Sequence, residues 1–273
     1  MMRLSRIVAC VSAGAALMLA PSARSANAQA ARDSARGAGS ARLLLLIQSF
    51  QMASTPELAS AVNELLSDTS AHMKMAPRRV ATTADSARAA DIVKRARAAL
   101  EQYSDAKVAE RDGYVKFLPW LEEQSIFHYN NMANVFATLS GFDPTKPVSL
   151  LYKKGAAGEM TLVGAMYAAQ PGATPDDLDA RLPLGIAHWH EHVDFCGPTP
   201  EAVRAGTEKV DAASTARWLK ITSREECTAA GGRFVPRLFG WMAHAYLFVG
   251  DDPKVIWGGD DRDHMHVHSP PTE

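Results

Sequence analysis

His188-Trp189-His190-Glu191-His192-Val193-Asp194-Phe195-Cys196 sets an imidazole at every second position. Side chains of a β-strand alternate between faces, so residues i, i+2 and i+4 point the same way. As a strand, this stretch lines His188, His190 and His192 along one face, with Asp194 and Cys196 continuing the row. Trp189, Val193 and Phe195 then pack on the other face, interrupted by Glu191. On a helix the same residues splay around the axis, and only His188 and His192 meet. The strand reading makes the histidines a site and makes a sheet the centre of the fold.

Working outward, the neighbouring segments support that sheet. Ser125 to Asn130 alternates well enough for a strand carrying His128. Val148 to Tyr152 and Met160 to Ala168 read as two strands of a hairpin around Gly155-Ala156-Ala157-Gly158. Leu238 to Val249 is almost wholly apolar and reads as a buried strand, with Met242, His244 and Tyr246 on one face. Helical signals dominate the first half. Ser54 or Thr55 caps a helix with Pro56 in its first turn, and Leu58, Val62, Leu65 and Leu66 follow at helical spacing. Thr83 or Asp85 caps a longer helix reaching towards Asp112, with Ile92, Val93, Ala96, Ala99, Leu100 and Tyr103 as its buried stripe. Thr174-Pro175-Asp176-Asp177 caps a short helix through Leu182. After Pro200 the pattern is helical to Glu208 and again from Ser214 to Ala230, where Gly231-Gly232 ends it. The expected class is α+β, with N-terminal helices packed on an antiparallel sheet or small open β-barrel.

The first thirty residues have a different character. Arg3 and Arg6 precede an apolar run from Ile7 to Ala20, and Ala26-Asn27-Ala28 and Ala28-Gln29-Ala30 offer small-x-small cleavage sites. That pattern is a secretory signal peptide, too short in its apolar part to be a membrane anchor. The chain therefore divides into a signal peptide over 1–30, a flexible N-terminus over 31–53, one α+β domain over 54–257 and a His-rich tail over 258–273. The expected location is periplasmic or secreted, with no membrane anchor after cleavage. A net charge of −1 offers no general attraction to nucleic acid. Export also bears on the cysteines. Cys10 leaves with the signal peptide, so Cys196 and Cys227 remain, and in an oxidising compartment such a pair closes a disulfide worth roughly 3 kcal/mol. The competing role for Cys196 is a metal thiolate beside the histidines.

Of the nine histidines, three form His188/His190/His192 and three form His264/His266/His268 in the tail. Imidazole is a neutral nitrogen donor near pH 7, and two strand neighbours on one face can bite the same ion. His190, His192 and His244 are the expected ligands, with His128 and His188 as additional ones and the tail trio as a secondary site. A histidine set with Glu191 or Asp194 suits zinc, copper(II) or iron, and Met242 or Met265 adds a softer donor that favours copper. Taken singly, His128 and His244 are equally compatible with core histidines bonded to backbone. The tail trio is equally compatible with a solvated chain end.

Other chemistries lack their signatures. His190-Glu191-His192 is too close for the H-E-x-x-H of a zincin, and no G-x-S-x-G, P-loop or dinucleotide fingerprint stands in a suitable context. No C-x-x-C-H is present, which excludes covalent c-type haem attachment.

Trp189-His190-Glu191-His192-Val193-Asp194-Phe195-Cys196 and Phe239-Gly240-Trp241-Met242-Ala243-His244 resemble segments of an uncharacterised family of exported bacterial proteins carrying W-H-x-H-x-x-x-C and F-G-W-M-x-H. The resemblance covers about residues 90–257. It implies that His190, His192, Cys196, Cys227 and His244 belong to one unit. Three functions follow from the residues: an exported copper- or zinc-binding protein, a metal-dependent hydrolase or oxygenase with Glu191 or Asp194 as general base, or a secreted interaction module with structural histidines.

Overall fold

The computed structural model describes residues 70–209 and 211–258. The expected signal peptide, flexible N-terminus, first helix and tail trio His264, His266 and His268 lie outside the described residues.

A capping box opens α1 (Thr83–Leu100), the longest helix among the described residues. Thr82 Oγ1 accepts from the Asp85 amide at 3.1 Å, and the Asp85 carboxylate accepts from the Thr82 amide at 3.0 Å. Ala89, Ile92, Val93, Ala96 and Leu100 form its buried stripe. The helix stops short of Asp112. The chain tightens into a 3₁₀ turn over Glu101–Ser104, and Asp105, in an extended conformation, accepts from the Lys107 amide to cap α2 (Ala106–Arg111). A short acidic side chain that bonds its own backbone competes with helix continuation, which is why the expected long helix is two.

Among the described residues eight strands form one antiparallel, open sheet: β1 (Met73–Met75), β2 (Val115–Lys116), β3 (Phe127–Asn130), β4 (Ser149–Lys154), β5 (Met160–Ala169), β6 (His190–Gly197), β7 (Arg233–Arg237) and β8 (Trp241–Ala245). Their order is β1-β6-β8-β5-β4-β3-β2, with β7 also paired to β6. The fold is α+β, as the patterning indicates. The remaining helices are short: α3 (Met132–Ala137), α4 (Pro175–Arg181), α5 (Pro200–Arg204), α6 (Ala212–Trp218), α7 (Arg224–Ala229) and α8 (Pro253–Ile256). The expected run from Ser214 to Ala230 is broken because Ser223 starts a new helix, its side chain accepting from the Glu226 amide.

Alternation gives the sheet two unlike faces. On one, Phe127, Tyr129, Leu150, Tyr152, Ala165, Tyr167, Trp241, Ala243 and Ala245 join the α1 stripe in a single buried cluster. This is the main core. The other face carries His128, Leu151, Met166, Met242, His244, His190 and His192, linked by the pairs His128↔Leu151, Met166↔His244 and His190↔Met242.

The expected single strand over Leu238–Val249 is shorter and has an upstream partner. β7 pairs Val193↔Arg237 and β8 pairs His190↔Met242, so three steps along β6 face five along its neighbour. The extra residues form an irregularity holding Phe239. β8 ends at Ala245, and the chain that follows stays beside β5 without regular pairing, Phe248 donating to Val163 O.

A second device bends the sheet. Leu151 pairs with Gly164 but Tyr152 with Leu162, leaving Val163 as a bulge in β5. Gly164 then lies so close to β8 that an added Cβ would stand 2.1 Å from Ala245 O. Cys196 of β6 and Cys227 of α7 form a disulfide, buried in a satellite cluster with Trp218. That pairing removes Cys196 from the possible metal ligands.

Gly164→Ala should lower stability by about 1–3 kcal/mol through overpacking against backbone. Urea unfolding measures it; an unchanged midpoint would show that the approach of Gly164 to the end of β8 is not tight.

Candidate functional site

Four histidines meet on the face opposite α1. His190 and His192 are two residues apart on β6, with ring centroids 5.5 Å apart. The His190 ring lies 5.2 Å from that of His244 on β8, and His244 lies 5.4 Å from His128 on β3. The Nε2 atoms of His128 and His244 are 3.3 Å apart. The order of contact is His192, His190, His244, His128. β3 and β8 are separated by β4 and β5, which in a flat sheet would hold their side chains roughly 14 Å apart. The sheet therefore curls towards this face.

His190 and His192 are buried, whereas His128 and His244 are half-buried. At the His192 end, Phe239 from the irregularity between β7 and β8 packs against the His192 ring, and Phe117 packs edge-on against Phe239. His192 Nδ1 is buried with no hydrogen-bond partner, as is Oδ1 of Asn130, which follows His128 on the same face of β3. A buried, unpaired nitrogen costs free energy that a ligand at that atom removes.

Three of the rings, His128, His192 and His244, are held towards the neutral form. Burial pushes His128 down to about 4, with the charge of His190 acting in the same direction. It pushes His192 down to about 3, helped by the charges of His190, His128 and His72. It holds His244 well below the ordinary histidine value, again with its histidine neighbours assisting. Neutral imidazoles keep a lone pair for an electrophile at pH values where an exposed histidine is already partly protonated.

The other candidate residues lie elsewhere. His188 precedes β6, and its Nε2 accepts from Arg78. Glu191 faces away from the histidines by alternation. Its fully buried carboxylate pairs with Arg237 Nε at 2.7 Å and Lys74 Nζ at 3.6 Å. The Arg237 contact is close but not aligned as a hydrogen bond. An ion-paired carboxylate on the opposite face does not reach the histidine hollow as a general base. Asp194 has a φ of +60°, which breaks the alternation that was to continue the row from His192 to Cys196. Among the described residues, no three His, Cys, Asp or Glu side chains stand ready-made around one ion position. What exists is a close pair of nitrogens in a row of four rings.

Sequence patterning did not mark three participants. His72 is buried, stacked on Phe195 at 4.6 Å, with Nδ1 3.1 Å from Val193 O and Nε2 2.6 Å from Leu219 O. Its two nitrogens face one carbonyl each, and whichever carries the proton donates, which makes it a strut between β6 and Leu219. Met166 enters the hollow only through its register with His244, and Phe239 only through the irregularity that holds it. Helical spacing or alternation along one strand signals none of these.

Comparison with family models, with curated proteins and with solved structures finds no match for this chain. Among the described residues no helix is long and apolar enough to cross a membrane.

The depressed histidines make stability depend on pH with a defined sign. An unfolded histidine takes its proton near pH 6.5, whereas His128 and His192 take theirs only near 4 and 3 in the fold. Across that window the unfolded chain holds more protons, so stability falls as pH falls. Metal-free protein should keep its urea midpoint above about pH 7 and lose it progressively below about pH 6.5. His128→Gln/His192→Gln should flatten that slope; an equal slope in the variant would contradict the assignment.

Proposed function

We propose that this is an exported protein that binds a transition-metal ion, copper or zinc, in the histidine-lined hollow of its sheet. The observation that carries the reading is the 3.3 Å separation of His128 Nε2 and His244 Nε2. Two nitrogens held by one tetrahedral ion at about 2.0–2.1 Å stand about 3.3 Å from each other. Without metal, two neutral imidazoles at this distance share one proton in a hydrogen bond, and an ion takes that proton's place. His190, whose ring centre is 5.2 Å from that of His244, supplies the third nitrogen by a side-chain rotation. His192 then closes the set, its unpaired Nδ1 gaining a partner.

Binding of this kind suits a carrier or storage protein. The partly accessible His128 and His244 lie at the entry side of the row, and the buried His190 and His192 lie deeper. A hydrolase needs a base facing the ion, and the ion pairing of Glu191 with Arg237 and Lys74 weighs against that reading.

The test is metal content by mass spectrometry on mature protein purified without affinity resin or chelator, with His128→Gln/His244→Gln alongside. Near-stoichiometric copper or zinc is expected in the wild type and loss of most of it in the variant. At free metal about 100 times Kd, binding should also stabilise the fold by about 2.7 kcal/mol. A wild-type protein that carries no metal, and whose unfolding does not move when copper or zinc is added, would overturn the proposal.

A further inference from the structure

We infer that the hollow is built for monovalent copper, with the thioethers of Met166 and Met242 as ligands beside the histidines. This rests on the reading of the hollow as a metal site and names the ion it takes. Met166 stands directly opposite His244, and Met242 directly opposite His190. Directly opposed side chains on one face of an antiparallel pair have Cβ atoms about 4.5–5.5 Å apart. Each of the two central histidines thus has a methionine as its cross-strand partner. Methionine is unbranched, with rotatable bonds enough to swing its sulfur towards a point beside its neighbour. Met242 is buried and Met166 half-buried, so both sulfurs lie at the hollow rather than in solvent.

Softness and charge then point to the same ion. Thioethers are poor ligands for zinc and good ones for Cu(I), whereas imidazole serves both. Imidazole and thioether both bind an ion as neutral donors, and Glu191, between the two β6 histidines, is turned to the opposite face in its ion pair. An ion entering a poorly solvated hollow without a carboxylate keeps its full charge. The cost of desolvation rises steeply with that charge, which favours a monovalent over a divalent cation. An oxygen-rich site would reverse both preferences.

The experiment compares the full mature chain with Met166→Leu/Met242→Leu, a near-isosteric change that cores usually tolerate. Cu(I), kept reduced with ascorbate, is titrated in competition with a chromophoric Cu(I) chelator, and Zn(II) with a chromophoric zinc indicator. The wild type should take one Cu(I), and the variant should lose more than about tenfold in Cu(I) affinity while its Zn(II) affinity stays put. X-ray absorption at the copper edge of the wild type should show sulfur scatterers, which tests the ligands even if the variant folds poorly. Unchanged Cu(I) affinity in the folded variant, or a copper shell of nitrogen alone, would overturn the inference. Wild-type protein that binds Zn(II) but not Cu(I) would overturn it while leaving the metal site standing. Protein that binds neither would overturn both.

Discussion

The curl of the sheet is the constraint on which the histidine site depends. His128 and His244 sit on strands three steps apart in the sheet, yet their nitrogens are within 3.3 Å. Only a sheet folded over on that face brings them together. The curl has identifiable sources: the bulge at Val163, the missing side chain at Gly164 where the end of β8 comes close, and the extra residues between β7 and β8. Bulges bend a strand and increase its twist, so the residues that break regular pairing are the ones that shape the hollow. On the opposite face α1 fills the outside of the curve with Ile92, Val93, Ala96 and Leu100.

Division of labour between the two faces explains why the charged and neutral groups are sorted as they are. Glu191, between two site histidines in sequence, is directed to the core side, where Lys74 and Arg237 compensate it. Its neighbours His190 and His192 stay on the concave side without a carboxylate, and burial holds His192 well below the ordinary histidine value. A buried carboxylate stripped of its cationic partners is strongly destabilising, so this ion pair is a structural requirement of the strand as well as a spectator to the site. The disulfide to Cys227 and the His72 strut anchor the far half of the same strand. β6 is thus held from both sides while it presents its imidazoles.

Much of this was legible along the chain, because alternation is a local property. His190 and His192 as neighbours on one face, His244 and Met242 together on β8, the hairpin of β4 and β5, and the Cys196–Cys227 pair all follow from residue type and spacing. The limits are equally physical. Position i+4 on a strand shares a face only if the strand stays regular, and the left-handed backbone at Asp194 ends that regularity. His188 lies just before pairing begins and is bonded to Arg78 instead. Register is a property of two strands at once, so nothing in Met160 to Ala168 alone marks Met166 as the partner of His244. β1 and β2, only three and two residues long, carry too few positions for any period to appear. The buried role of His72 depends on a carbonyl of Leu219, 147 residues further along.

The most direct test of the central claim is nitrogen-15 NMR of the imidazoles, recorded before and after one equivalent of diamagnetic Zn(II). The Nε2 resonances of His128 and His244 should move into the metal-coordinated range, with a ring nitrogen of His190 following. His72 and His188 should stay where they were. If the rings that respond are His72 or His188, or if no imidazole responds, the hollow is not a metal site and its histidines are polar groups of a curved core.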